Sequence, residues 1–296
     1  MNRKCKQYLL KKFLVRIDFD QAQDIDVDNA IQKVRDKFFD DGYKLFQNVV
    51  PLTSIQQESG FSPNGDSQFI PPVSIINETV REYLFKKELQ SIKFSNKYLI
   101  IEDLINNDYK GSKSYSQLIY CLMDAIHKEN AYITLTRIGL RKFDSLIFKE
   151  INNINMYFDS KVFNQRDSLL KYQNFGNIIS DASSKISIIS QEKSCKGNII
   201  TEIQTGEYTE TRNDTGEISK TGQAIQAILD IDIYKDSFEN IESFTDYILN
   251  IYNLLNEESY SIYKSALTEK FYNSLLNGTV NDSNILGGVY DVQYCE

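Results

Sequence analysis

An α+β protein built on antiparallel sheet is the fold class this sequence predicts, and three observations predict it. Stretches of strict apolar–polar alternation recur along the chain. Stretches with apolar residues at helical spacing separate them. Their order is strand, helix, strands, helix, strand, then strands and a long helix, with no regular strand–helix repeat. The 296 residues are 41% hydrophobic and include 19 Tyr and 17 Phe, enough to fill a sizeable core.

The first strand is Phe13 to Phe19. Phe13, Val15, Ile17 and Phe19 point one way, and Leu14, Arg16, Asp18 and Asp20 the other. Asp26 or Asp28 can then cap a helix running to about Phe46, with Val27, Ala30, Ile31, Val34, Phe38 and Leu45 near helical spacing. Residues 50–77 hold all four prolines with Gly60 and Gly65 and read as a long irregular connection, a candidate functional loop. Strands are expected at about Leu89–Phe94 and Tyr98–Leu104, with a turn at Ser95-Asn96-Lys97. Tyr115 to Lys128 reads as a helix with one apolar stripe, and Cys121 is placed in the core with it. The lone His127 lies near the helix end, where a dipole role or plain exposure outweighs catalysis. One long strand, from Ala131 to about Phe148, closes the first half.

The second half opens on an asparagine-rich connection at Asn152–Asn155. Strands are expected at about Asn177–Ser190 and Asn198–Thr211, with a turn at Arg212–Glu217. A third strand ends in Ala227–Tyr234, with Leu229, Ile231 and Ile233 on one face and Asp230, Asp232 and Tyr234 on the other. From about Glu239 to Leu276 a helical pattern runs, as one helix or two. No Gly/Ser linker separates the halves, so residues 1–150 and 151–276 are expected to pack together, with 277–296 as an appended tail.

Charge is uneven. Residues 1–150 carry 22 Lys and Arg against 20 Asp and Glu; residues 151–296 carry 11 against 21. Phosphate-backbone binding needs clustered basic residues, so the second half is a poor nucleic-acid surface. In the first half the basic clusters are short, at Arg3–Lys6, Lys11–Arg16 and Arg137–Lys142, which supports nucleic-acid binding only weakly. Cys5, Cys121, Cys195 and Cys295 are far apart with no C-x-x-C, which argues against structural zinc and for reduced thiols in a cytosol. No run of 18 uncharged apolar residues occurs, so no membrane span or signal peptide is expected. A phosphate-binding glycine loop and a Gly-x-Ser-x-Gly elbow are both missing. The abundance of Asn, Ile, Lys and Tyr suggests an AT-rich bacterial genome.

Two constellations carry possible chemistry. Asp18 with Asp20, and Asp230 with Asp232, each lie on one face of a strand, roughly 7 Å apart between alternate Cα atoms. Were the two strands neighbours, four carboxylates could hold Mg²⁺ for phosphoryl chemistry. The plainer reading is cross-strand pairing of Asp18 or Asp230 with Arg137 or Arg141 on a solvated face. The second constellation is Arg137 and Arg141 on the same side of one strand with Gly139 between them. Arginine forks match carboxylate and phosphate, and a bare glycine admits a ligand or another backbone. The plainer reading of Gly139, and the favoured one, is a bulge or packing against a bulky neighbour. Together these observations favour a non-enzymatic binding component with its surface at Arg137, Gly139, Arg141, Asp230 and Asp232. The alternative is a metal-dependent enzyme acting on nucleotides or nucleic acid through the aspartates. No cofactor is expected, and a protein partner or self-association is.

Three landmarks in order, Arg137-Ile-Gly-Leu-Arg141, Leu229-Asp-Ile-Asp232 and a terminal helix from Tyr263 to Phe271 containing Leu267-Thr268, resemble a sporadically distributed family of bacterial proteins of unknown function. The resemblance covers roughly residues 10–276. Members often read Arg-Tyr-Ile-Asn where this chain has Arg141-Lys-Phe-Asp144, and the Asp18/Asp20 pair is not a family feature. The resemblance implies a cytosolic bacterial protein with no assigned catalytic residues. Its patchy spread is like that of mobile genes, including antiphage defence and toxin–antitoxin modules.

Overall fold

The structure is a computed structural model that describes residues 5–21, 27–57, 73–105, 109, 111–129, 133–164, 181–190, 192–211, 218–238, 244–287 and 290–291. The elements are β1 (Gln7–Tyr8), β2 (Leu10–Gln21), α1 (Val27–Asp40), β3 (Lys44–Gln57), β4 (Val73–Lys87), β5 (Gln90–Ser95), β6 (Tyr98–Leu104), α2 (Ser112–Glu129) and β7 (Ile133–Phe148). There follow α3 (Ile154–Tyr157), β8 (Asp181–Ser190), β9 (Cys195–Thr211), β10 (Ile218–Lys235), α4 (Phe244–Ala266), α5 (Glu269–Asn277), β11 (Ile285–Gly287) and β12 (Tyr290–Asp291).

One antiparallel sheet of the order β3-β4-β5-β6-β2-β7-β10-β9-β8 carries the molecule, and β11 adds to the end of β7. The fold is α+β. The strands of the two sequence halves share this sheet, joined where β7 pairs with β10. Register explains the core. A single transverse row, Phe85–Ile92–Ile101–Val15–Leu140–Ile233, runs across six strands with every side chain at or below 1% exposure. Alternation in each strand delivers that row to one face, where the helices cover it. Phe38 of α1 packs on Phe85 with ring centroids 4.9 Å apart. Tyr115 of α2 stacks on Phe13 at 4.1 Å. Ile248, Ile251, Tyr252 and Leu255 bury the facing stripe of α4.

Several expectations shift. Helix α1 ends at Asp40, because the chain turns at Gly42 (φ +88°), and Leu45 belongs to β3. Much of the expected 50–77 connection is strand. Pro51 sits inside β3, on the sheet edge where a missing N–H is tolerated, and β4 begins at Val73; residues 58–72 lie outside the described residues. The asparagine-rich connection contains a 3₁₀ turn, Ile151–Asn153, and the short α3, which bury Ile151, Ile154 and Tyr157. The 212–217 turn lies outside the described residues. The C-terminal helical pattern is two helices, broken where Thr268 caps α5 and its N–H bonds the Tyr157 carbonyl at 2.9 Å. After Gly278 the chain is no appended tail: β11 pairs with β7, and β12 pairs with β1.

Candidate functional site

The site is built on the sheet face opposite the helices. Leu140 and Ile138 of β7 point to the core, so Arg137, Gly139 and Arg141 point away, with Thr136 as an extra residue at a register shift against β2. On β10, Leu229, Ile231 and Ile233 are buried, which turns Asp230, Asp232 and Tyr234 to the same open face. β7 thus lies between β2 and β10, and all five expected site residues come together there.

Their roles differ. Arg141 is directly opposite Asp232 but reaches diagonally to Asp230, with Nε–Oδ1 2.8 Å and Nη2–Oδ2 2.5 Å. The Asp230 side chain is 8% exposed, so its carboxylate is nearly buried beneath a bidentate fork. This bond holds the Arg141 guanidinium firmly protonated.

Arg137 is directly opposite Asp18, yet Asp18 is already gripped by Arg16 through Nε, at 2.7 and 3.0 Å. Arg137 instead leans across Gly139. Its guanidinium carbon lies 4.4 Å from the Tyr234 ring centroid, and its Nη2 stops 3.7 Å from Asp232 Oδ2, too far for a hydrogen bond. Its Nε is buried and has no hydrogen-bond partner among the described residues, while the side chain as a whole is 39% exposed. Gly139 makes the crossing possible. A Cβ there would sit 3.5 Å from Tyr234 Cβ and 3.6 Å from Arg137 Nε, so a methyl fits and a larger group would displace the guanidinium. The bulky neighbour expected for Gly139 is Tyr234. Burial pushes the Asp232 carboxyl up, opposed by Arg137 and Arg141 and assisted by Asp230.

Asp18 and Asp230 lie on strands separated by β7, and each is committed to an arginine. Asp20 is exposed near the end of β2. Among the described residues no three His, Cys, Asp or Glu side chains are grouped to hold a metal ion. Two residues that sequence reasoning left out belong to the open face. Arg16 removes Asp18 from competition, and Tyr234 supports Arg137.

The opposite face of β7 holds the other unanticipated cluster. Lys142 and Asp144 point into the core beneath α4, where Lys142 Nζ donates to Asn256 Oδ1 at 2.7 Å. Asp144 Oδ2 and the Tyr263 hydroxyl are buried without hydrogen-bond partners among the described residues. Burial drives the Asp144 carboxyl up and the Lys142 ammonium down, each partly offset by the other's charge. The signal was parity: if Leu140 and Leu146 face the core, so must Lys142 and Asp144. Cys121, expected in the core, is partly buried and packs against the core from its edge, where it also lines an open groove between α1 and α2 with Lys33, Lys37 and Lys128. His127 stacks on Phe244, with centroids 5.0 Å apart.

The chain matches no protein-family model, and a search of curated proteins returned no match. No described helix is long and apolar enough to cross a membrane.

Proposed function

We propose that the protein is a non-enzymatic binding component that takes an acidic group of a protein partner on its open sheet face, with Arg137 as the receiving cation. One observation carries the reading. Arg141 is held by a two-bond fork to the nearly buried Asp230, whereas Arg137 stacks on Tyr234, stands 3.7 Å from Asp232 and makes no hydrogen bond among the described residues. Stacking fixes the guanidinium plane and, with Nε buried, leaves the Nη N–H groups to meet a carboxylate. Asp232 beside it, and the acidic balance of the second half, favour a discrete carboxylate over a polyphosphate backbone. A cytosolic setting in a bacterial multi-protein system, of the antiphage or toxin–antitoxin kind, is supported by the motif resemblance alone.

The enzyme reading rested on four converging aspartates, and the strand order keeps the two pairs apart. The test is a nitrogen-15 spectrum of the arginine side chains during titration with a glutamate-rich peptide. The Arg137 Nε–H resonance is expected to shift while that of Arg141 stays in place. Equal shifts, or none at Arg137, would overturn the proposal.

A further inference from the structure

The outer edge of β8 carries an inference independent of Arg137. β8 runs ten residues, Asp181–Ser190, in unbroken register with β9. It ends the sheet, and among the described residues no strand pairs with its other side. Its outward N–H and C=O groups are therefore offered to whatever lies alongside. Both faces are open: Ile186 is 41% exposed on the helix side and Ile189 is 74% exposed on the other. Proteins usually blunt such an edge with proline, bulges or several lysines. The far edge strand, β3, has Pro51 and Lys44. β8 has no proline and no bulge, and its charges are Asp181 and Lys185 alone.

We propose that β8 is a self-association edge, pairing with the β8 of a second copy of this chain so that two sheets continue as one. A two-fold axis perpendicular to the sheet generates an antiparallel pair, the mode used between all neighbouring strands here. Such an axis keeps each face on its own side, so opposed residues share parity. Passing it through Ile186 sets Ile186 against its copy, Ser184 against Ile188, Lys185 against Ser187, Ser183 against Ile189 and Ala182 against Ser190. No like charges oppose one another, and the exposed isoleucines of both faces gain cross-strand cover. An extended peptide from another protein would need pockets beside the edge for specificity, and β8 offers open isoleucine instead.

The experiment is sedimentation equilibrium of the full chain with two substitutions at one exposed position. Ser187→Lys sets Lys against Lys185 twice across the axis; Ser187→Glu sets an opposite charge there twice. Both lose the same bond from Ser187 Oγ to Asn198 Oδ1 at 3.0 Å, so their folding should suffer alike. The wild type is expected to be a dimer in equilibrium with monomer. Ser187→Lys should weaken it and Ser187→Glu tighten it, each by about tenfold. Should either variant fail to fold, Ile189→Lys replaces it, at a side chain outside the core, and is expected to weaken the dimer. A wild-type chain that stays monomeric overturns the proposal and leaves the edge to a different partner. A dimer unmoved by these substitutions, or shifted the same way by both charges at 187, overturns it as well.

Discussion

The two faces of β7 carry charge in opposite ways. On the open face Arg141 meets Asp230 with two hydrogen bonds, and Arg137 has a ring beneath it. One residue along, on the helix side, Lys142 and Asp144 sit in the core, and among the described residues one neutral amide, Asn256, is the side-chain hydrogen-bond partner between them. The two arginine side chains still reach water, and the nearly buried Asp230 carboxylate is met by two charge-assisted hydrogen bonds, so these charges cost less to keep. On the buried face each ion loses its hydration, and Coulomb attraction between alternate residues of a strand repays only part of that. Charge on a sheet is thus stabilising or costly according to parity, and adjacent residues of one strand can fall on either side of that line.

The comparison can be broken most forcefully at the buried pair. Replacing both partners, Lys142→Met with Asp144→Leu, is expected to raise unfolding stability by about 1–4 kcal/mol, read by denaturant titration. A large loss would mean that the pair holds the fold together.

Its pH dependence sharpens the point. Asp144 titrates higher folded than unfolded, so the folded state binds the extra proton between those values, and stability falls as pH rises through that window. Lys142 titrates lower folded than unfolded, so the folded state is short of a proton there, and stability rises with pH across the alkaline window. The gain of the double variant should therefore peak near neutrality and shrink towards both acid and alkali. Parallel pH profiles for wild type and variant would contradict this.

On the open face, Arg141→Gln strips a nearly buried carboxylate of its fork and should cost about 1–3 kcal/mol. A change within experimental error would reduce the pair to surface decoration. The smallest effect is expected at Gly139. Gly139→Ala should lie within about 0.5 kcal/mol of wild type, whereas Gly139→Val should push Arg137 off Tyr234 and remove the peptide-induced shift of its resonance. Unchanged binding in the valine variant would show that the crossing over Gly139 is incidental.

Much of this was legible in the sequence, for a physical reason. Alternation in β2, β7 and β10 assigns faces residue by residue, which is why Arg137, Gly139, Arg141, Asp230 and Asp232 group together without knowledge of the strand order. Which arginine takes which aspartate was not legible. That depends on register and on Arg16 reaching Asp18 first, and register is a property of strand pairs. Lys142 and Asp144 were readable from parity, but a charged pair in a long strand invites a solvent assignment. Proline and glycine made 50–77 look irregular, although an edge strand tolerates Pro51. The last residues looked like a tail because a three-residue strand such as β11 leaves no periodic trace.

The central claim is that Arg137 serves binding while Arg141 serves the fold. Arg137→Gln and Arg141→Gln measured side by side, for unfolding stability and for retention of an acidic partner, test it most directly. Arg137→Gln should stay within about 1 kcal/mol of wild type and lose the partner, while Arg141→Gln should lose stability first. Equal destabilisation by the two, or an Arg137→Gln chain that binds as wild type does, would contradict it.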